Sequence, residues 1–182
     1  MDDAAETLAV AHARWETWEG EPADEVTLWE TGRGVRIEGV LGAGAARYAI
    51  ACDAAWRTRE VRVESPGRPA LRLTADGAGH WRRDALPAPE LEGALDVDLT
   101  ATPLTNTVPI RRLGLAEGEA REILVAYVDL STREVSLDRQ RYTCLEAGRL
   151  YRFEQIATGF RADIETDERG LVVLYPSLFR RR

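Results

Sequence analysis

Residues 150–175 read LYRFEQIATGFRADIETDERGLVVLY and contain three strand-length segments separated by two turn sequences. The segments are Leu150–Ala157, Phe160–Thr166 and Leu171–Tyr175, and the turn sequences are Thr158-Gly159 and residues 167–170. Glycine tolerates the positive φ angles of tight turns, so each break favours a reversal of the chain. Strands joined by connections this short predict an antiparallel meander, because parallel strands need a long crossover.

Much of the rest of the chain alternates apolar and polar residues with a period of two. Apolar residues alternate with polar ones in segments 35–41, 48–52 and 59–64, and further strand-length segments are Ile123–Val128 and Val135–Cys144. Asp76-Gly77 and Gly42-Ala43-Gly44 are typical of hairpin turns. The chain of 182 residues is long enough for one domain. We therefore expect a single, mainly β domain of antiparallel meanders with a minor helix.

The N-terminal residues give a weaker signal. Residues Ala4–Ala13 could form a short helix, but their apolar side chains are mostly alanine and bury little area. We expect residues 1–14 to be a frayed leader and residues 15–182 to be the domain. Residues 74–77 and 166–170 carry similar hairpin signatures, which leaves open an origin of the domain as two related halves.

Composition excludes several classes of function. The chain is 45% hydrophobic and 30% charged, as in an ordinary globular protein, and it contains no long apolar run that could insert into a membrane. A net charge of −7 argues against a nucleic-acid partner. All 24 basic residues are arginine, so no lysine nucleophile exists.

Few residues are available for metal or redox chemistry. There are two histidines and two cysteines without CxxC spacing, which argues against a metal site or a bound cofactor and favours two free thiols. The acidic N-terminus Met1-Asp2-Asp3 lacks the positive charge of a secretory signal. We expect the protein to stay in the cytoplasm.

The central segment, residues 91–113, reads LEGALDVDLTATPLTNTVPIRRL and breaks the alternating pattern. Pro103 and Pro109 disfavour a helical conformation for the residues before them, so the segment is predicted to be extended and stiff. Asp96 and Asp98 then project to one face of an extended backbone. Adjacent Arg111 and Arg112 would point to opposite faces of a strand, so that at most one of them reaches the same site.

Two interpretations of these carboxylates remain open. In the functional interpretation they bind a sugar or phosphate-bearing head group, directly or through a metal, or act as general acid and base. In the structural interpretation they satisfy backbone amides or pair with an arginine such as Arg111 or Arg112. A DxD pair alone is weak evidence for a metal. The polar residues that we expect to contact a ligand are Asp96, Asp98, Thr102, Asn106, Arg111 and Gln140.

Aromatic residues on or beside the predicted strands form a second candidate set. They could line a cavity for an acyl chain or stack on sugar rings, and they could equally form the core. The candidate lining residues are Trp56, Trp81, Tyr127, Tyr142, Tyr151, Phe153, Phe160 and Tyr175.

Several of these motifs occur together in one known family. The chain resembles the bacterial putative glycolipid-binding family, formerly a domain of unknown function, over nearly all residues after about Trp15. The matching segments are LDVDL at 95–99, TPLTNTVPIRRL at 102–113, VAYV at 125–128, QRYT at 140–143, YRFE at 151–154, GFRA at 159–162 and GLVVLYPSLFR at 170–180. The chain departs from the family at Ala94, Leu104 and Ser177, where cysteine, phenylalanine and glycine are usual.

The resemblance implies a curved antiparallel sheet shaped like an unclosed barrel, similar to the half-barrels that carry lipid-modified proteins between bacterial membranes. It also implies non-catalytic binding of a glycolipid or other amphipathic molecule in the concavity of the sheet, with transient contact at a membrane surface. Two alternatives stay open: a hydrolase or lyase that acts on a sugar-containing substrate through Asp96 and Asp98, and a protein interaction module.

Overall fold

The computed structural model describes residues 7–182. In this range the chain forms fifteen strands, one α-helix and two short 3₁₀ turns at Gly42–Gly44 and Pro89–Leu91. The strands are β1 Thr7–Thr17, β2 Pro22–Thr31, β3 Gly34–Leu41, β4 Ala46–Asp53, β5 Thr58–Glu64, β6 Leu71–Ala75, β7 Trp81–Arg83, β8 Leu86–Pro87, β9 Asp96–Leu99, β10 Ala120–Val128, β11 Val135–Glu146, β12 Leu150–Gln155, β13 Phe160–Thr166, β14 Val172–Tyr175 and β15 Phe179–Arg181, and helix α1 is Leu104–Leu113.

All strands belong to one curved sheet that does not close into a barrel. Its order is β8-β7-β6-β5-β4-β3-β2-β1-β15-β14-β13-β12-β11-β10-β9. Two meanders therefore meet where β1 pairs with β15 in the middle of the sheet. Neighbouring strands run antiparallel except for β9, which is parallel to β10. The predicted fold class, a mainly β domain with a curved and unclosed sheet and a minor helix, is confirmed.

Two predictions about local structure are wrong. Residues 7–13 belong to strand β1, although the alanine-rich segment Ala4–Ala13 could form a short helix, because pairing with β2 outweighs its weak helical tendency. Pairing of β1 with β15 begins at Trp15. Residues 1–6 lie outside the described residues. The sheet thus includes residues 7–14, which we had assigned to the leader.

The central segment is also different from the prediction of an extended chain. Only Asp96–Leu99 is a strand, and residues 104–113 form helix α1 with Pro109 inside it. The hydroxyl of Thr102 accepts the backbone N–H of Leu104 at 3.0 Å, which satisfies one free donor at the start of the helix. Burial holds Val108 helical despite the proline that follows it. The helix ends at Gly114, whose φ of +53° is the left-handed conformation typical of such ends.

The inner side of the sheet is filled by the protein itself. One hydrophobic cluster joins β1–β6 to β9, β10 and the buried side chains of Leu104 and Val108, and a second joins β10–β14 to Ile110. All residues from Leu104 to Ile110 are buried, so α1 lies between the two clusters. The expected binding of a hydrocarbon chain in an empty concavity is therefore not supported by this packing, since the helix and core side chains occupy that space.

Cys52 and Cys144 are buried free thiols. Burial, with a smaller contribution from the charge of Asp96, raises the pKa of Cys52 to about 12 and keeps it protonated at neutral pH. No helix within residues 7–182 has the length and apolar character needed to cross a bilayer.

Candidate functional site

A cleft of about 250 Å³ opens at the end of the sheet where the chain leaves β9 and enters α1. We call it the aromatic cleft. Five aromatic rings form much of its wall, and polar groups from β9, α1 and β12 complete it. The residues that line it are Tyr127, Phe153, Phe160, Tyr175 and Phe179, then Asp98, Thr100, Thr102, Asn106 and Gln155, and finally Leu99, Ala101 and Leu178.

Neighbouring strands place these rings in contact. The ring centroids of Phe153 and Phe160 are 6.2 Å apart, those of Phe160 and Tyr175 are 6.4 Å apart, and Tyr175 lies 6.2 Å from Phe179. The rings are tilted or edge-on to one another, which aromatic quadrupoles favour over face-to-face stacking. Phe153 and Tyr175 are buried, whereas Phe160 is 41% exposed at the mouth of the cleft.

Asp98 contributes the carboxylate of the cleft. Its Oδ1 accepts a hydrogen bond from the hydroxyl of Thr105 at 3.0 Å, and its Oδ2 accepts one from the side-chain amide of Gln140 at 2.7 Å. Burial, together with the nearby charge of Asp138, raises the pKa of Asp98, although the two hydrogen bonds oppose that shift. Asp98 is therefore a half-buried acceptor whose hydrogen-bonding partners in the protein are all neutral.

A second carboxylate lies behind the first. Asp138 is 8% exposed, and its Oδ2 accepts the side-chain amides of Gln140 at 3.2 Å and Gln155 at 3.0 Å. Gln140 thus donates to both carboxylates, while Gln155 lines the cleft. The alternating pattern of β11 explains this placement, because Asp138 and Gln140 both point inward.

Another buried acid, Asp24, lies beneath Thr102 on the opposite side of the cleft. The hydroxyl of Thr102 donates to Oδ2 of Asp24, and Tyr48 donates to the same oxygen at 2.7 Å. The other oxygen of Asp24 is buried without a hydrogen-bonding partner. Burial raises the pKa of Asp24 to about 6, against the effect of both hydroxyls. Thr102 therefore connects the cleft to a titratable group beneath it.

Seven of the residues predicted from the sequence line the aromatic cleft. They are Asp98, Thr102, Asn106, Tyr127, Phe153, Phe160 and Tyr175. Two more lie directly behind the lining: Gln140 contacts Asp98, and the hydroxyl of Tyr142 donates to Oδ1 of Asn106 at 2.9 Å.

The structure does not bring Asp96 to the cleft. Asp96 is fully buried and forms a two-point ion pair with Arg112, with N–O distances of 2.8 and 2.6 Å. Asp96 and Asp98 share one face of β9, as predicted, but they have separate partners. The interpretation of Asp96 as a structural residue paired with an arginine therefore matches the geometry, and no acid–base pair of these two residues is assembled in the cleft.

The remaining predicted residues lie elsewhere. Arg111 stacks 4.5 Å from the ring centroid of Trp56 and pairs with Glu30 at 3.2 Å. Trp81 is buried in the first cluster, where its Nε1 donates to the carbonyl oxygen of Ala94 at 2.8 Å. Tyr151 packs in the second cluster. These side chains are core or surface contacts of the fold.

Gln155, Leu178 and Phe179 line the cleft but were not predicted. Gln155 has the inward parity of Phe153 on β12, so the alternation could have identified it. Two non-glycine residues with positive φ, Ala101 at +69° and Ser177 at +64°, also lie in or beside the lining. Such conformations cluster at functional sites. The usual glycine of the family at position 177 was a signal for this turn.

Larger depressions occur on the surface, but their chemistry is different. One of about 470 Å³ over β2–β5 has charged residues at five of its ten lining positions, and one of about 530 Å³ beside β10 has them at four of nine. The aromatic cleft differs from both, because it combines aromatic rings in contact with a half-buried carboxylate. Among residues 7–182, no cluster of three or more His, Cys, Asp or Glu side chains is arranged to hold a metal ion.

Comparison with known proteins agrees with the fold and the motifs. The family described as putative glycolipid-binding matches residues 12–181. A crystal structure of a DUF1089 family protein from Pseudomonas aeruginosa is similar over 88% of this chain and 92% of that chain, with a TM-score of 0.75 and 36% identity. No curated protein matches the sequence. The match over almost the whole chain shows that the protein belongs to the putative glycolipid-binding family.

Proposed function

We propose that this protein binds an amphipathic small molecule without chemical conversion, and that the ring of its head group occupies the aromatic cleft. The observation that carries the proposal is the cleft itself, in which five aromatic rings face one carboxylate and two side-chain amides. Binding sites for small molecules typically combine such apolar walls with a few polar groups that fix orientation. The description of the family is consistent with a sugar as the head group.

The size of the cleft limits what enters it. A volume of about 250 Å³ equals that of about eight liquid water molecules and lies below the range of roughly 300–1,000 Å³ found for drug-sized ligands. One sugar ring fits this space, whereas a ring with a long acyl chain does not. Because the inner side of the sheet is filled, the chain of the ligand stays outside the protein interior.

A sugar complements both the aromatic and the polar residues that line the cleft. Its C–H faces are apolar and can lie on Phe153, Phe160 or Tyr175, whereas its hydroxyls can donate to Asp98 and exchange hydrogen bonds with Gln155 and Asn106. Each of these groups is held by neighbouring strands or by α1, so little ordering is needed on binding.

The mouth of the cleft offers a surface for the apolar part of the ligand. Phe160 and Leu178 line it and are 41% and 39% exposed. Trp18 follows the β1 residue that pairs with Phe179, and Ile156 follows the β12 residue that pairs with Phe160, so both lie at this end of the sheet. In this proposal the ligand chain rests on the rim or remains in a membrane that the rim touches.

The experiment measures the affinity for n-hexyl β-D-glucoside by calorimetry, below its micelle concentration. We expect Phe160→Ala to weaken binding about tenfold, which corresponds to about 1.4 kcal/mol and to the loss of one stacked ring. The matched control is Trp29→Ala on the outer face of β2, where Arg36 lies 6.0 Å over the ring. The control should bind like the unmodified protein.

Two results would contradict this proposal. The first is an equal loss of affinity in both variants, or no binding by the unmodified protein to any alkyl glycoside tested. The second is release of free glucose during the measurement, which would favour the hydrolase alternative with Asp98 as the acid.

A further inference from the structure

The aromatic cleft contains an acidic side chain and, among the described residues, no basic one. Its lining includes the carboxylate of Asp98, and among the residues that the structure describes no arginine or histidine contributes to it. The chain has 24 arginines, of which most line other surfaces and pair with acids. The cleft therefore lacks the guanidinium group, which matches phosphate and other anions geometrically.

Two of the buried carboxylates in this protein have guanidinium partners. Asp96 is held by Arg112 through two hydrogen bonds, and Glu16, which is 8% exposed, pairs with Arg180 and Arg182. The fold thus supplies arginines to buried acids elsewhere. Asp98, like Asp24, is held by neutral groups, in this case the hydroxyl of Thr105 and the amide of Gln140. Unlike Asp24, it lines the cleft.

The second carboxylate, Asp138, lies behind Asp98 and has neutral hydrogen-bonding partners too. Asp138 is more than nine-tenths buried, and its hydrogen-bond donors within residues 7–182 are the amides of Gln140 and Gln155. Gln140 bridges the two acids, so both contribute negative potential to the floor of the cleft. A buried carboxylate without an opposite charge is unfavourable, and a bound cation would relieve that penalty.

The aromatic walls favour the same sign of charge. The faces of aromatic rings are electron-rich, and cations within about 6 Å of a ring centroid are attracted to them. Tyr127, Phe153, Phe160, Tyr175 and Phe179 surround the space in front of Asp98. This arrangement of rings around an acid is the type of site that recognises ammonium groups.

We infer that the head group bound in the aromatic cleft carries a positive charge, as an ammonium substituent on its ring, and that this ammonium pairs with Asp98. The inference rests on the proposed binding function and specifies its ligand class: an amino sugar or a related cationic ring, and not an anionic or phosphorylated head group. Asp98 and Asp138 supply the electrostatic attraction, and the rings supply the apolar and cation–π contacts.

The test compares two probes that differ in one substituent. These are n-hexyl β-D-glucoside and n-hexyl 2-amino-2-deoxy-β-D-glucoside, and hexyl phosphate is the anionic probe. At near-neutral pH we expect the amino glycoside to bind the unmodified protein at least tenfold more tightly than the glucoside. Hexyl phosphate should bind more weakly than either glycoside.

The variant Asp98→Asn tests whether the preference for the amino glycoside depends on the carboxylate of Asp98. Asparagine can accept a hydrogen bond from Gln140 and donate one to Thr105, so the variant is expected to fold. Because Asp98 also contacts sugar hydroxyls in the proposed function, the readout is the ratio of the two affinities, and the tenfold preference for the amine should disappear. Asp163→Asn, a half-exposed acid on β13 paired with Arg152, is the matched control and should retain the preference.

The outcomes separate the inference from the proposed function. If the glucoside binds and the amine adds no affinity, or if hexyl phosphate binds most tightly, the cationic ligand class is wrong while binding in the cleft stands. If neither glycoside binds, the proposed function itself fails. Should Asp98→Asn not fold, the ranking of the three probes on the unmodified protein still decides the question.

Discussion

At the scale of single residues, Asp24 shows how burial creates a pH-sensitive group. Its side chain is 4% exposed, and its partners Tyr48 and Thr102 are neutral donors. Because burial raises the pKa of Asp24 from 3.8 to about 6, the folded state binds a proton more tightly than the unfolded state. A raised pKa of an acid therefore favours folding at low pH, and this contribution is lost as the pH rises from about 4 to above 6.

We predict that Asp24→Asn removes this dependence. Relative to the unmodified protein, the variant should gain about 2 kcal/mol in free energy of unfolding between about pH 4.5 and about pH 7.5, because asparagine cannot ionise. Urea unfolding at a series of pH values measures the difference. If the difference in free energy of unfolding between the two proteins stays constant with pH, Asp24 has the same pKa in the folded and unfolded states.

The local sequence does not distinguish the roles of Asp96 and Asp98. Asp96 and Asp98 are two positions apart, share one face of β9 and are equivalent in the sequence pattern. Their roles separate only because Arg112 reaches Asp96 from the end of α1, while Gln140 reaches Asp98 from β11. Neither approach is visible in local sequence, since both depend on the packing of distant segments.

At the scale of elements, helix α1 is the part of the chain that the sequence pattern missed. Its threonines differ in what they contact: Thr105 donates to Asp98 and accepts the backbone N–H of Leu99 at 3.3 Å, whereas the hydroxyl of Thr107 is buried without a hydrogen-bonding partner. An unsatisfied buried hydroxyl is unfavourable, and a satisfied one that bonds to a charged group is stabilising.

The same substitution should therefore have opposite effects at two positions in one helix. Valine has nearly the shape of threonine, so Thr107→Val is expected to stabilise the protein by about 1 kcal/mol, and Thr105→Val to destabilise it by about 2 kcal/mol. Chemical denaturation of both variants provides the measurement. If both changes destabilise by the same amount, the two hydroxyls are equivalent and the contacts of α1 are not as described.

At the scale of the whole molecule, the curved sheet and its helix form a filled body with a cleft at one end. The two meanders meet at the β1–β15 pair, and Trp15 reinforces that junction by donating from Nε1 to the carbonyl oxygen of Val172 at 2.8 Å. Leu104 is fully buried in the first cluster. An interior of this kind leaves little space for a hydrocarbon unless a side chain is removed.

We predict that Leu104→Ala destabilises the protein by about 2–5 kcal/mol and creates a cavity that binds xenon. The unmodified protein should bind none in its core, as judged by chemical shift changes of core methyl groups under xenon pressure. Leu86→Ala, at a side chain that is 71% exposed, should change the free energy of unfolding by less than about 0.5 kcal/mol. Xenon uptake by the unmodified core would show that space for an apolar chain exists there.

Alternation and turn residues act over a few neighbouring positions, so the sequence pattern was enough to predict β3–β5 and β10–β14, their arrangement in antiparallel meanders and four of the five aromatic residues that line the cleft. It also identified the family. Three features follow from the packing of the folded chain: residues 104–113 are helical, this helix fills the inner side of the sheet, and Asp98, not Asp96, faces the cleft. These outcomes depend on contacts between segments distant in sequence, which outweigh the local preferences that a sequence pattern records.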